Sequence, residues 1–430
     1  MKFVKKIYHF LVAYFAYWYY GRPTRKIKVV GVTGTKGKST TSRLIASVLQ
    51  AGGFKVGLLT TVEVQIGKQR QLNKYKMTML GRGKIQKIIK EMVVKDCEYV
   101  VVETSSEGIL QYRHLGLNYD VAVFTNLSKE HIEAHGGFDN LKKDKGKMFA
   151  VLNKQKNING QNVEKTIVVN GDDENAPYYY NFKADKKYCY GFDKSCFSKK
   201  CNKIVAKNNK LSENGSEFKV GKNVFKLNLV GEFNIYNALA AVAVGKSQSI
   251  DEKNIVKGLQ SVKKVEGRME FIDIGQDFKV VIDYAHEPVS LTQLFTTLRK
   301  MLSSNGKLIA LVGSDGGGRD KTKREKMGEI TGKFADVAII TDVNCFDEDP
   351  SKIAEMLAAG ARKSGKKDNK DLIIEIDRRK AIVKAVKMAK TGDIIAITAK
   401  GTEPCIVVAN NKKIPWDDRE VAKEVLQKNK

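Results

Sequence analysis

Short β-branched, apolar runs alternate along the chain with longer stretches of helical spacing. Val29 to Thr33 predicts a buried strand, Gly34-Thr35-Lys36-Gly37 a tight loop, and Lys38 to Gln50 a helix with Leu44, Ile45 and Val48 on one side. Gly52-Gly53 supplies its stop. Further strands are predicted at 54–61, 99–103, 121–125 and 166–170, separated by helical stretches, so the sheet should be mostly parallel. Between Val151 and Val230, pieces such as FKVGKN and VFKLNLV, set among polar turns, predict a small antiparallel sheet appended to this core. After Glu270 the predicted strands 280–283, 308–312, 337–341 and 394–397 again alternate with helices, which reads as a smaller doubly wound domain. The expected divisions are a hydrophobic, basic segment at 1–26, a first domain at 27–265 and a second at 266–430.

The opening segment breaks this pattern. Ile7 to Tyr20 (IYHFLVAYFAYWYY) is a run of 14 residues nearly free of polar groups, short of the roughly 20 needed to cross a bilayer core. It is preceded by Lys2, Lys5 and Lys6 and followed by Arg22, Arg25, Lys26 and Lys28. Aromatic rings beside basic residues suit the headgroup region of a membrane. Packing of a helix on the domain or on a partner chain, and true spanning, are the competing readings. No small-x-small cleavage site follows, which argues against a secretory signal.

A length of 430 residues suggests two or three domains, and 42% hydrophobic with 29% charged residues is globular composition. The six cysteines form no C-x-x-C pair, so a disulfide scaffold or zinc ribbon is not expected, and a reducing, cytoplasmic setting fits. Seventy-six basic against 48 acidic residues leave a net charge of +28. That field favours anionic partners, although the lysines are spread along the whole chain. No RNP-like, zinc-finger or helix-turn-helix signature accompanies it, so no nucleic acid is expected as a partner.

Strand, glycine loop and Gly-Lys-Ser at a helix start make a phosphate cradle. Backbone N–H groups of Gly34, Thr35, Lys36 and Gly37 and the helix N-terminus at Thr40 face the anion, Lys38 reaches the terminal phosphates, and the Ser39 hydroxyl can ligate Mg²⁺. Val32 stands where the general G-x-x-x-x-G-K-[ST] pattern has its first glycine. In open parallel sheets ligands sit beyond the carboxyl ends of strands, which puts Glu103 and Asn126 near the phosphates. Glu103 leaves a run of valines and reads either as a magnesium ligand or as a helix cap. His131 and His135, four apart in KEHIEAH, have a spacing that can hold zinc, but no third ligand is evident and two surface histidines read equally well. The fold class expected is α/β: a P-loop parallel-sheet ATPase domain followed by a smaller doubly wound α/β domain.

Together these fragments resemble the Mur ligases, ATP-dependent amide-forming enzymes of peptidoglycan precursor synthesis. TGTKGKSTT is similar to their TGTNGKTTT loop, ETSSEGILQYR to EVSSHGLxQxR, FTNLSKEHIEAHG to FTNLxxDHLDYHG, and KDKGKMF to AKxxLF. LVGEFNIYNALAA, GRME, DYAHEP, GGGRDKTKR, DRRKAI, AKGTE and WDDRE follow in family order, so the resemblance covers about 27–430. It is strongest to the members that add the third amino acid, the UDP-N-acetylmuramoyl-tripeptide synthetases. The resemblance implies an acyl phosphate made from ATP and attacked by an amine, with ATP and Mg²⁺ as cofactors. Lys38, Glu103, His131 and Lys145 would be catalytic, and Ser39, Glu103, His131 and a carbamylated Lys145 would hold magnesium. Asn234, Asn237, Arg268, Asp283 and His286 match nucleotide positions. Thr78, Ser105, Gln111 and Arg113 match those facing a sugar-linked dipeptide, and Arg319, Asn344 and Glu403 those facing the incoming amino acid.

Departures from the family bear on the substrates. Only residues 1–26 precede the ATP-binding strand, so the UDP-gripping domain of the family is expected to be lacking. Val343-Asn344-Cys345-Phe346 stands where enzymes that add diaminopimelate carry D-N-P-R, and Phe346 cannot give a carboxylate the bidentate contact of arginine. Met77-Thr78-Met79 replaces TTP, and AKGTE replaces GKGHE. The expected partners are a nucleotide-sugar peptide or related anionic acceptor and a free amino acid, with peripheral membrane contact through residues 7–20 as a further expectation. A folylpolyglutamate, a pseudomurein-type peptide or a lipid-linked peptide is the alternative acceptor.

Overall fold

The computed structural model describes every residue except Met1, Lys76, Arg82, Glu130, His131, residues 193–200, Arg319 and Lys430. His131 and Arg319, both expected at the site, therefore lie outside the described residues. The chain divides into two compact units, Met1–Lys263 and Lys264–Lys430.

The first unit opens with helix α1 (Lys2–Tyr19), which takes in the apolar N-terminal run, and then alternates as the sequence predicts. Strand β1 (Lys28–Thr33) leads into α2 (Lys38–Ala51), then β2 (Val56–Leu59), β3 (Glu63–Ile66) and β4 (Gln69–Leu72). Next come α3 (Lys84–Val94), β5 (Tyr99–Glu103), α4 (Ser106–Leu110), β6 (Val121–Phe124), α5 (Ile132–His135) and α6 (Phe138–Ala150). A two-residue hairpin, β7 (Asn157–Ile158) and β8 (Gln161–Asn162), precedes β9 (Thr166–Asn170), α7 (Ala176–Tyr180), β10 (Lys186–Gly191) and β11 (Asn202–Val205). Strands β12 (Lys207–Ser212), β13 (Gly215–Val220) and β14 (Asn223–Leu227) and helices α8 (Glu232–Ser247) and α9 (Glu252–Ser261) complete the unit.

Nine strands join in the order β11-β10-β9-β6-β1-β5-β2-β3-β4, parallel except for the pairs β2–β3 and β3–β4 at one edge. Among the described residues of the region expected to be an antiparallel appendage, β12–β14 forms a three-stranded antiparallel sheet and β7–β8 a two-residue antiparallel hairpin. β10 and β11 instead extend the parallel sheet, because Cys189 and Tyr190 bury against it and β10 pairs in register with β9. One core collects Val100, Val102 and Phe124 with α3 residues Ile85, Ile89 and Met92 and α6 residues Leu141, Met148 and Phe149. On α2, Leu44, Ile45, Val48 and Leu49 are all fully buried, and α2 packs against α8 and α9. Helix α8 is apolar all round and buried along most of its length, as a central helix must be.

Beneath β1, at the end of the sheet away from the glycine loop, Asp120 is 1% exposed and accepts from Lys156 Nζ at 2.5 Å, Lys165 Nζ at 2.6 Å and the Val29 amide at 2.8 Å. A buried carboxylate is tolerable only when it is paired and hydrogen-bonded in this way.

The second unit runs β15 (Glu270–Ile272), β16 (Lys279–Ile282), α10 (Pro288–Met301), β17 (Leu308–Val312), α11 (Thr322–Phe334) and β18 (Val337–Ile340). It continues with α12 (Pro350–Lys363), β19 (Leu372–Ile374), α13 (Arg378–Met388), β20 (Ile394–Ile397), the hairpin β21 (Cys405–Val408) and β22 (Lys412–Pro415), and α14 (Asp418–Lys428). Its sheet order is β15-β16-β20-β17-β18-β19, parallel apart from the β15–β16 pair. β20 returns to lie between β16 and β17, which creates a topological switch point where ligands of such sheets sit. Ile382, Ala385, Val421 and Val425 of α13 and α14 cover one face.

Candidate active site

The glycine loop joins β1 to α2 where the residues around it demand glycine. Gly34 has φ +149° and its missing Cβ would lie 2.0 Å from Thr125 Oγ1; Gly37 has φ +78° and its Cβ would lie 2.3 Å from Asn237 Oδ1. The carboxyl end of β6 grips the loop: Lys36 N donates to Asn126 Oδ1 at 2.9 Å, Thr35 N to Asn126 O at 2.8 Å, and Thr125 Oγ1 to Lys36 O at 2.7 Å. Lys38 Nζ donates to Thr35 O at 2.8 Å, which curls the side chain over the loop. Thr40 is buried in the first turn of α2, and neighbouring Thr41 donates to Asn237 Oδ1 at 3.0 Å while Asn237 Nδ2 donates to Asn234 Oδ1 at 3.0 Å. Asn237 of α8 thus reaches the first turn of α2 beside Gly37, with Asn234 bonded behind it.

Parallel pairing sets Val32 opposite Glu103, so the carboxyl ends of β1 and β5 coincide. Ser39 Oγ, on the first turn of α2, donates to Glu103 Oε2 at 2.9 Å, and the Thr61 amide donates to the same oxygen at 2.8 Å. Thr61 Oγ1 in turn donates to Thr78 Oγ1 at 2.8 Å, which ties the expected acceptor residue Thr78 to the carboxylate. A serine hydroxyl and a carboxylate beside a phosphate loop are hard oxygen donors. They fit magnesium, which takes few protein ligands and completes its shell with phosphate and water. Among the described residues no group of three or more His, Cys, Asp or Glu is arranged to hold a metal ion, and the zinc reading of His131 and His135 gains no third ligand there.

Lys145 is buried on α6 and donates through Nζ to Gly34 O at 2.9 Å. Of the lysines in LKKDKGK it is therefore the one aimed at the glycine loop. Its neighbour Asp144 accepts from His135 Nδ1 at 2.6 Å and from Lys147 Nζ at 2.6 Å. Burial opposes ionisation of Asp144, but these two hydrogen bonds outweigh it and hold the carboxyl below its usual range. His135 Nε2 is buried without a hydrogen-bond partner. His135 is thus a buried, carboxylate-oriented imidazole rather than a surface histidine. The signal for this pair was weak, since Asp144 is one acid within a lysine-rich stretch.

Beyond β5, Ser105 caps α4 by accepting from Gly108 N at 3.1 Å. The Arg113 guanidinium bonds the Gln111 side chain and the Met79 carbonyl, which gathers Gln111 and Arg113 at one edge beside the 77–81 segment. Burial holds the Arg113 pKa below its usual value.

In the second unit the expected residues form two groups. Asp283 accepts from Met269 N at 2.7 Å and Ala285 N at 2.7 Å, Arg268 stacks 4.5 Å over the Tyr284 ring, and His286 Nδ1 meets Tyr284 O at 2.7 Å. In the other group Asn344 Nδ2 donates to Asp315 Oδ1 at 2.7 Å and Glu403 Oε2 at 3.0 Å. Lys400, fully buried, also donates to Glu403 Oε2 at 3.0 Å. Lys400 was not singled out from the sequence, although it sits inside AKGTE.

A glycine loop at the carboxyl ends of a parallel sheet, with a serine–carboxylate pair at its mouth, defines the first unit as a P-loop α/β domain, and the chain adds a second α/β unit. The description "Mur ligase middle domain" matches residues 32–245 and "Mur ligase, glutamate ligase domain" matches 267–401. The chain belongs to the Mur ligase family of ATP-dependent amide ligases. It is 36% identical over 419 residues to the UDP-N-acetylmuramoyl-L-alanyl-D-glutamate--2,6-diaminopimelate ligase of Bacillus cereus, covering 96% of this chain and 81% of that one. It is 33% identical over 417 residues to the UDP-N-acetylmuramyl-tripeptide synthetase of Roseiflexus sp., covering 95% and 80%. The fold is also that of a folylpolyglutamate synthase of Mycobacterium tuberculosis, at 16% identity and TM-score 0.69, covering 91% of this chain and 92% of that one.

Proposed function

We propose that this ligase joins a free amino acid to the terminal carboxylate of a UDP-MurNAc-dipeptide-like acceptor, the third-residue step of peptidoglycan precursor synthesis in the cytoplasm. The observation that carries the reading is the Ser39–Glu103–Thr61–Thr78 chain, which links phosphate loop and acceptor segment through one carboxylate.

The acceptor carboxylate oxygen attacks the γ-phosphorus, the bond to ADP breaks, and an acyl phosphate results. The amine nitrogen then forms the amide as the C–O bond to phosphate breaks and the amine loses a proton. The first step brings anions together, so catalysis here is positioning and charge neutralisation. The loop amides, the α2 N-terminus and Lys38 cradle the phosphates. Ser39 and Glu103, with His131 and a carbamylated Lys145, would hold magnesium, which when bound offsets the charge of the phosphoryl oxygens. Carbamylation would convert the buried Lys145 ammonium into an anionic oxygen donor. Asn234, Asn237, Arg268, Asp283 and His286 are assigned to the nucleotide, Thr78, Ser105, Gln111 and Arg113 to the acceptor, and Arg319, Asn344 and Glu403 to the amino acid.

Phe346 gives no donor for a distal carboxylate, which supports an amino acid other than diaminopimelate. Residues 7–20 are assigned to contact with the inner face of the membrane; no helix among the described residues is long and apolar enough to cross one. The test is phosphate release from ATP with UDP-MurNAc-L-Ala-D-Glu and a panel of lysine, ornithine, alanine and diaminopimelate. Acceptor-dependent turnover with one of the first three is expected, and silence across the panel from protein that binds ATP refutes the acceptor.

A further inference from the structure

Helix α1 is apolar on two opposite faces, and among the described residues only one of them has a partner. The inner face is seated on the acceptor side of the first unit. Tyr17 Oη accepts from Asn118 Nδ2 at 3.0 Å, and the Tyr17 ring fills the space beside Gly116, whose missing Cβ would meet it at 2.5 Å. Phe10 meets the Tyr112 ring edge-on at 5.6 Å, and Ala16 approaches within 2.9 Å of the position a Gly83 Cβ would take. The receiving residues, Gly83, Tyr112, Gly116 and Asn118, are close in sequence to Gly81, Gln111 and Arg113. A helix is about 10 Å across, so its outer face lies about that far from the edge proposed to hold the acceptor.

The outer face carries Val4, Ile7, Leu11, Phe15 and Trp18, all exposed, with Phe15 at 64%. Their spacing of three and four residues lines them along one side. Tyr8, Tyr14 and Tyr19 flank the stripe and are exposed as well. Residues 1–28 contain seven Lys or Arg and no Asp or Glu, and Arg22 lies 4.5 Å over the Trp18 ring. An apolar stripe that ends in Trp and is edged by Tyr, in a segment rich in Lys and Arg and without acid, is complementary to an anionic headgroup layer, in which such a helix lies flat.

We propose that α1 lies in the headgroup layer of an anionic bilayer and presents the acceptor edge to it, and that the physiological acceptor is a muramoyl dipeptide whose anomeric phosphate is joined to a membrane lipid. This rests on the muramoyl-acceptor reading above. The amide-forming chemistry is unchanged; only the group beyond the anomeric phosphate differs. Docking then converts a search in solution into one confined to the surface, which raises the effective acceptor concentration.

The full-length chain is floated with phosphatidylcholine vesicles with and without phosphatidylglycerol. Phosphate release is then measured with UDP-linked dipeptide in solution and with polyprenyl-diphosphate-linked MurNAc-dipeptide in the same vesicles. Binding to the anionic vesicles alone is expected, together with turnover of the lipid-linked acceptor. The double variant Leu11→Glu/Phe15→Glu should lose about tenfold or more in both, by withdrawing two apolar side chains from the layer. Its rate on the soluble acceptor should be unchanged, which also reports that it is folded. Turnover of the soluble acceptor alone overturns this proposal and leaves the function standing; turnover of neither overturns both. Vesicle binding untouched by the variant, or self-association of the chain through this stripe without vesicle binding, also overturns it.

Discussion

Removal of Asp418 is expected to be one of the costliest single changes in the second unit. The Arg378 guanidinium, 1% exposed, meets the fully buried Asp418 in a fork, Nε to Oδ1 at 2.8 Å and Nη2 to Oδ2 at 2.7 Å. Trp416 Nε1 donates to Oδ1 at 2.7 Å, and Arg378 Nη2 also reaches Thr398 O at 2.7 Å, two residues before Lys400. Asp418→Ala strands a buried guanidinium with backbone carbonyls as its remaining partners, at a cost of about 3–5 kcal/mol. Replacing both charges, Arg378→Met with Asp418→Leu, removes the stranded ion and should recover most of that loss. Trp416 is the one tryptophan between Lys264 and Lys430, so in a Trp18→Phe background its fluorescence follows this unit through a urea titration. A loss below about 1 kcal/mol for Asp418→Ala, the range of an exposed pair, or a double variant no more stable than the single one, refutes the reasoning.

Two further outcomes follow from the first unit. Gly37→Ala forces a Cβ into a left-handed conformation and against Asn237 Oδ1, at about 1–2 kcal/mol for the backbone and about 1 kcal/mol for the displaced Thr41–Asn237 hydrogen bond. Asn237→Ala relieves the clash but not the backbone strain. ATP titrations of the two single variants and the double should therefore show a coupling of about 1 kcal/mol, and additivity would rule out the contact. Burial, reinforced by Lys147, pulls His114 down from 6.5 to about 4. The unfolded chain then binds the proton more readily than the native one. The stability from keeping this imidazole neutral is complete above about pH 6.5 and is lost as pH falls toward 4, by up to about 3 kcal/mol. Urea midpoints should drop between pH 7 and pH 5 by clearly less in His114→Phe than in the parent; an equal drop contradicts the assignment.

The alternation of strands and helices was legible because each parallel strand is a short continuous apolar run, as a strand buried on both faces must be. Val29 to Thr33, Tyr99 to Glu103 and Thr166 to Asn170 stand where the pattern put them. Strands β10 and β11 were not legible: KKYCYG alternates only weakly and NKIV is short and opens on two polar residues, so their place in the parallel sheet is decided by pairing of β10 with β9 and of β11 with β10. The glycine loop could be read from its residue types, because positive φ and close backbone approach leave little but glycine. Lys145 could be picked out only by resemblance to the family, since nothing local separates it from the lysines around it.

Local chemistry therefore determined most of the elements, the loop and the apolar character of the N-terminal segment from the sequence alone. Tertiary structure decided what those elements meet. The register Val32 opposite Glu103 carries Ser39 to its carboxylate. The turn of α6 aims Lys145 rather than Lys142 or Lys143 at Gly34. The small residues Gly83 and Gly116 let α1 settle against the first unit with its outer stripe in the open. The physical reason is range: propensity and periodicity act over a few neighbouring residues, whereas these contacts join residues tens to more than a hundred positions apart, chosen by which faces bury together.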